Sequence, residues 1–340
     1  IQAVVLGKAA LVEVSAVTSG AELKRILEHR TGIPVDCLGG LYFASRPIAD
    51  ERSLASYGIG KGSLVEVKPR LRGGAGEMAD LAAREMGLLP RFFHTLATTH
   101  PRPHGAFKDL IANARDAKAT LFSIDVDTLY GLTVMRTVDN GPGPCLHGAP
   151  VPTLESFQKM LDLGHSTSAN SSDTAGEAGQ GAKSGPLGIA KDVVVATAGE
   201  GCYLVALLSA SLHESLEADP AARCVVPYLV YSWQTSAWTE SPGAFGHFDQ
   251  WTGFRGGEGR ETLREWCAAH LSEAGGGLMH VFHKMRDGIN ERDERDDVLL
   301  PEGDDKSVPA SLRTYLSAAF YDKRFDGGRA FRIAIKGTTV

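Results

Sequence analysis

The chain has 340 residues, of which 43% are hydrophobic and 22% charged, with a formal net charge of −6. That length allows two or three domains with cores of their own, and no apolar run approaches the roughly 20 residues a membrane-spanning helix needs. Residues 1–74 carry 10 basic and 7 acidic residues, a balance of +3, which leaves −9 for the rest; such an acidic body has no electrostatic footprint for nucleic acid, and DNA contact would need local patches or further segments.

In chain order, IQAVVL-GK-AALVEV reads as two strands around a short turn. SGAELKRILEHRTG reads as a helix capped by Ser19, with Leu23, Ile26 and Leu27 at helical spacing and Gly32 at its end. GIP and LYFASRPI return to extended structure, and SLVEVKPRLRGG closes as a strand with a tail. Ile1 stands where an initiator Met would, and no charged segment or cleavage site precedes the first strand, so the chain reads as a trimmed fragment without a secretion signal. LKRILEHRTGIPVD, LYFASRPI, ERSLASYGIGKGSLVEV and RLRGG resemble ubiquitin in order and spacing. The resemblance implies a β-grasp domain over 1–74 with a flexible Arg70–Gly74 tail, whose paired glycines suit both a narrow processing tunnel and a plain linker. Tyr42 and Lys68 replace apolar members of ubiquitin's partner-binding patch, Arg46 stands at a chain-linkage lysine, and Lys24 and Lys61 match ubiquitin lysines. Ubiquitin-pathway enzymes are the implied partners of this domain.

Residues 75–89, with GEMADLAARE, read as a short helical linker. Ala106–Ala117 contains no Pro or Gly, and Gly105 sits just outside it, so a helix is expected there. Asp109, Asn113 and Asp116 share one face of that helix, while Leu110, Ala114 and Ala117 are left for packing. A solvated polar stripe and a site face are both open on this stretch alone. ATLFSIDV and GLTVMRTV then read as two strands, the second running into DNGPG. Asn140–Gly141 is a common hairpin turn. The alternative is a buried Asp139 accepting from the amino group of adenine, with Gly141 and Gly143 letting the ring approach the backbone.

TLESFQKMLDLG is helix-like, and HSTSANSSDTAGEAGQGAKSGPLG is too rich in Ser, Gly and Ala to pack as a core. It ends in GQGAKSG ahead of the alternating strand IAKDVVVATAG. Gly179, Gly181, Lys183 and Ser184 can cradle phosphates, although the spacing is not that of a P-loop. The five cysteines are scattered, odd in number and without a C-x-x-C pair. They argue against a disulfide framework or structural zinc and for a reducing, intracellular setting. His280 and His283 lie on a strand-like run where a spacing of three puts them on opposite faces.

The order decides between these readings. A helix bearing Asn113, then DNGPG, then a Gly-rich lid ending in GxGxKSG is similar to the three-motif signature of the GHKL ATPases. RFFHTLATTH, DLIANARDA, TVDNGPG, GQGAKSGPLGIAKDVVVAT, CYLVALLSASLHES, CVVPYLVYSW, SLRTYLSAAFYDKRF and FRIAIKG resemble MORC blocks from Pro90 to the last residue, most weakly over Ser241–Arg260. The implied fold class is α+β: a β-grasp ubiquitin-like domain, a GHKL (Bergerat) α/β sandwich over 90–240, and a partial transducer-like (ribosomal S5-like) β-α domain over 241–340. AGGGLMHVFHKMR and SLRTYLSAAF would belong to that last domain, and INERDERDD reads as a solvated charge run.

By the same resemblance the cofactors are ATP and Mg²⁺. Asn113 holds the metal, Asp139, Gly141 and Gly143 hold adenine, and Gly179, Gly181, Lys183 and Ser184 form the lid over the phosphates, with Lys183 acting on the transferred group. Asp116 keeps its helix in register. The family's general base is a glutamate; here that position is Asp109, one methylene shorter. Pro144 and Ala182 are lesser departures. The implied activity is an ATP-hydrolysing clamp that dimerises on ATP binding and serves chromatin compaction or gene silencing in the nucleus, with DNA or chromatin as partners. The alternative is a nucleotide-gated interaction module with negligible hydrolysis. A histidine kinase would need an upstream dimerising helix with a phospho-acceptor histidine, which this sequence lacks.

Overall fold

The structure is a computed structural model. It describes residues 1–5, 8–15, 17–31, 35, 38–43, 46–60, 62–69, 84–85, 90–100, 102–145, 151–161, 181–219, 221–272, 276–289, 297–301, 310–320, 325–326 and 329–340. The Arg70–Gly74 tail, Gly179 and lid residues 166–180 lie outside the described residues. The chain divides by packing into two units, one of residues 1–77, 85–95 and 213–224, the other of 78–84, 96–212 and 225–340.

The first unit contains β1 (Gln2–Val5), β2 (Lys8–Leu11), α1 (Gly20–Thr31), β3 (Leu38–Phe43), β4 (Arg46–Ile48), a 3-10 turn (Leu54–Tyr57) and β5 (Leu64–Pro69). Its sheet runs β2-β1-β5-β3-β4, with β1 and β5 parallel and the other pairs antiparallel. This is the ubiquitin-like arrangement expected. Ser19 Oγ accepts from the Glu22 amide at 3.2 Å, so the helix starts where its cap was read. Leu23 and Leu27 are fully buried, with Leu41, Val65 and Val67 in the same core; burying one such side chain contributes about 2 kcal/mol. Lys24 reaches Asp50 at 2.8 Å.

Of the linker expected to be helical, Arg84–Glu85 is extended (β6) and residues 76–83 lie outside the described set. The helix α2 (Arg91–Ala97) follows, and within the first unit Arg91 donates to the Glu28 carbonyl at 2.9 Å.

The second unit is built on α3 (Pro103–Asp116), β7 (Leu121–Leu129), β8 (Leu132–Asp139), α4 (Leu154–Leu161), α5 (Gly181–Ile189), β9 (Ala190–Gly199) and β10 (Cys202–Ser209). After them come α6 (Ala210–Leu216), of which residues 213–216 count with the first unit, β11 (Val225–Val226), β12 (Tyr228–Ser232), β13 (Ala237–Glu240), α7 (Ala244–Trp251), α8 (Gly256–His270) and β14 (Gly276–Met285). The last elements are α9 (Leu312–Ala319), β15 (Phe325–Asp326), β16 (Arg329–Ala330), β17 (Arg332–Ile335) and β18 (Thr338–Thr339). Nine strands form one sheet in the order β13-β12-β10-β9-β14-β8-β7-β17-β18, antiparallel except for β17 beside β7.

This order corrects one expectation. AGGGLMHVFHKMR was assigned to a separate transducer layer; β14 instead fills the centre of the sheet between β8 and β9. A strand there satisfies two backbone edges that would otherwise be left open. β9 was read as alternating, yet nine of its ten residues are buried, because helices cover both faces. Val194, Ala196, Met279 and Val281 pack into a core with Phe248 on α7 and Leu263 and Cys267 on α8. Strand alternation turns Val193, Val195 and Thr197 to the opposite face, and α5 also packs on β9.

His280 and His283 do point to opposite faces, and both are buried. His280 shares a 3.2 Å hydrogen bond with Thr137 and His283 lies edge-on to Phe254. Burial pushes each imidazole down to about 4. Asp297, read as part of a solvated charge run, is buried and accepts from the Val298 and Arg313 amides at 2.7 and 3.1 Å. It serves the start of α9, where unpaired N–H groups attract an anion.

Candidate functional site

The helix expected over Ala106–Ala117 begins three residues earlier, at Pro103. Proline suits the first helical position because that N–H has no intrahelical partner, so Gly105 falls inside the first turn. Ala106, Phe107, Leu110, Ile111 and Ala114 are buried, and Asp109, Asn113 and Asp116 are half-buried along the other face. The polar stripe is therefore not freely solvated. Asp109 Oδ2 lies 3.3 Å from His100 Nε2.

β8 ends in Asp139, which is paired across the sheet with Phe122 and Leu278 and is 6% exposed. Its Oδ1 accepts from the Gly141 amide at 2.8 Å. Among the described residues its second oxygen receives no hydrogen bond, and burial pushes the carboxyl up to about 7. Asn140 plays a different part: its Oδ1 accepts from the Thr120 and Leu121 amides at 2.8 and 2.9 Å, tying the start of β7 to the loop. So of the pair it is Asn140 that ties down the loop, while Asp139 keeps one oxygen without a hydrogen bond among the described residues.

The loop past Asp139 is seated tightly. A Cβ on Gly143 would lie 2.7 Å from Thr197 Oγ1 and 2.8 Å from Pro152, and its φ of +74° is one that L residues rarely adopt. Gly276 (φ +111°) comes so close that a Cβ would meet the Gly141 carbonyl oxygen at 2.6 Å. The neighbouring Gly277 amide donates to that carbonyl, also at 2.6 Å, and the Gly277 carbonyl accepts from Thr197 Oγ1 at 2.6 Å. Gly276→Ala combines a strained φ, about 1–3 kcal/mol, with a backbone collision. It should lower unfolding free energy by at least about 2 kcal/mol in denaturant titration, and parent-like stability would show that the loop can yield.

Lys183 and Ser184 lie in the first turn of α5, where free N–H groups favour an anion. Lys183 is fully buried, and its Nζ donates to the Met160 carbonyl at 2.9 Å, near the C-terminus of α4, the end of a helix that favours a cation. A role on phosphate requires that side chain to exchange the Met160 carbonyl for a phosphate oxygen. Gly181 opens α5, and Gly179 lies outside the described residues.

Thr197, Gly276 and Gly277 were not singled out from sequence. Three glycines before the strand-like LMHVF were the available signal, since glycine at a strand end marks close backbone approach; nothing local marks Thr197. A buried carboxylate with one oxygen that receives no hydrogen bond among the described residues can accept from a ligand carrying an amino donor. Among the described residues no group of three or more His, Cys, Asp or Glu side chains could hold a metal. Asn113 as a single oxygen ligand suits Mg²⁺, which keeps most of its shell as water and phosphate.

Residues 101–223 match the model of a family described as histidine kinase-, DNA gyrase B-, and HSP90-like ATPase, and residues 5–72 match that of the ubiquitin family. The chain is 31% identical over 153 residues to MORC family CW-type zinc finger protein 3 of Mus musculus, covering 44% of this chain and 15% of that protein. It is 26% identical over 229 residues to Protein MICRORCHIDIA 7 of Arabidopsis thaliana, covering 63% and 29%. To ATPase MORC2 of Homo sapiens it is 30% identical over 148 residues, covering 42% and 13%. The matches span less than a third of each relative's length.

Proposed function

We propose that this chain, in which an ATPase domain of the histidine kinase, gyrase B and HSP90 kind, related to that of the MORC proteins, follows a ubiquitin-family domain, is an ATP-operated clamp. The observation that carries the nucleotide reading is Asp139, buried with one oxygen held by Gly141 and the other open. Asp139 accepts from the exocyclic amine of adenine, and Gly141 and Gly143 keep the ring's approach clear. Asn113 would hold Mg²⁺ through its side-chain oxygen, and the metal would supply positive charge to the phosphates. The lid, with Gly179, Gly181, Lys183 and Ser184, closes over the phosphates, and Asp109 orients the attacking water and takes its proton.

Closure of the lid orders a surface on which two ATPase domains dimerise, and release follows hydrolysis. Action on chromatin in the nucleus follows from the likeness to MORC proteins, and recruitment of ubiquitin-pathway enzymes from the ubiquitin-like domain. No helix among the described residues is long and apolar enough to cross a membrane. The short side chain of Asp109 favours a second reading, a nucleotide-gated interaction module that turns over negligibly.

Calorimetry with Mg-ATP, light scattering and hydrogen exchange on the same protein test these readings. Asn113→Ala should weaken Mg-ATP binding at least about tenfold, or about 1.4 kcal/mol. A non-hydrolysable analogue should protect residues 166–185 and produce dimer in parallel. Parent-like affinity in Asn113→Ala would remove the metal role. A lid left unprotected at saturation would refute the clamp and leave simple binding.

A further inference from the structure

His100, in the turn between α2 and α3, belongs to none of the nucleotide motifs. Its side chain is 13% exposed, and its Nε2 lies 3.3 Å from Asp109 Oδ2. Two helices clear room for the ring by carrying glycine. A Cβ on Gly105, in the first turn of α3, would stand 3.1 Å from His100 Nδ1. On α5, a Cβ on Gly188 would stand 3.0 Å from His100 Cδ2 and 2.8 Å from the Ala106 Cβ. The imidazole thus lies close to both α3 and α5, at positions where each carries glycine, with its Nε2 toward the carboxylate.

Tyr315 on α9 also feels the charge of Asp109. Burial, and then the charge of Asp109, push the Tyr315 phenol up. His104 meets Tyr315 edge-on at a centroid distance of 4.9 Å. Lys108, the neighbouring charge on α3, is exposed.

We propose that His100 is a positioning residue for Asp109: held beside Gly105 and Gly188, its Nε2 steers one carboxylate oxygen by charge and leaves the other for the attacking water. This rests on the reading of Asp109 as the general base. The separation of 3.3 Å exceeds the 2.7–2.9 Å of a tight charge-assisted hydrogen bond, so the pull on the carboxylate is that of an ion pair and acts when the imidazole is protonated. A carboxylate steered by an imidazole so placed restores orientation that the missing methylene would otherwise supply.

The test is steady-state phosphate release by the full chain, with calorimetric Mg-ATP affinity measured beside it. His100→Ala should lower kcat by about tenfold to a hundredfold while KM and Kd for Mg-ATP stay within about twofold. Combined with Asp109→Ala it should add nothing to the loss that Asp109→Ala causes alone. His100→Gln keeps a donor at that position and should recover part of the rate, and it serves as the folded comparison if the alanine variant unfolds. Independently of turnover, the His100 ring nitrogen resonances should show the imidazole protonated to higher pH in the parent than in Asp109→Asn, because the carboxylate favours the charged ring. Parent-like kcat in His100→Ala, losses that multiply in the double variant, or an unchanged His100 titration in Asp109→Asn would each overturn the pairing. If Asp109→Ala turns over like the parent while Mg-ATP still binds, the base assignment is what fails, and the His100 titration alone then decides whether the pair exists.

Discussion

Asp139→Asn is expected to separate nucleotide binding from stability, moving the two in opposite directions. In the fold the carboxyl titrates near 7, against 3.8 for an exposed one, because burial penalises its charged form more than the Gly141 amide favours it. The folded chain therefore holds that proton more tightly than the unfolded chain. The contribution of this one carboxyl to stability is greatest below pH 4 and is lost as the pH rises from about 4 to about 7, on the order of 4 kcal/mol in all. The amide variant carries no charge to bury, so above pH 7 it should be more stable than the parent, and the advantage should vanish near pH 4.

Binding runs the other way. Adenine's amino group needs an acceptor, so the ionised carboxylate is the competent form. Parent affinity for Mg-ATP should fall by about tenfold for each pH unit below 7, with a proton released on binding near neutrality. Asp139→Asn should bind at least about tenfold more weakly at pH 8, with little dependence on pH. Calorimetry in two buffers of different ionisation heat reads affinity and proton release together. A pH-independent parent, or an Asn variant that binds like the parent at pH 8, would remove Asp139 from adenine recognition.

Asp109 is expected to carry the largest change in rate. Asp109→Ala should abolish phosphate release, since no other carboxylate on this face of α3 stands beside His100. Asp109→Glu should raise release several-fold, because it returns the carboxylate by one bond length and a misplacement of about 1 Å can cost about a hundredfold. The gap to His100 is long enough for the added methylene to shorten it. Mg-ATP affinity should change little in either variant, since the interaction differs only in the transition state. Equal turnover in the parent and the alanine variant would favour the nucleotide-gated module that does not hydrolyse.

What the sequence determined by itself is local. Ser19 marked the start of α1 because a cap acts on amides within one turn. The four-residue step between Asp109 and Asn113 placed both on one face of α3. The Asp-Asn-Gly string located the end of β8 and the buried carboxylate, since turn chemistry is written in adjacent residues. The insertion of β14 between β8 and β9 was decided only in the tertiary structure. It pairs Thr137 with His280, 143 positions apart, and no periodicity within either strand encodes that partnership. The same holds for Gly276 against the Gly141 carbonyl, for Thr197 beside Gly143, and for the approach of His100 to Asp109. Each depends on two or three segments meeting with no room for another atom, and close packing between distant segments is a property of the assembled core that no single segment carries.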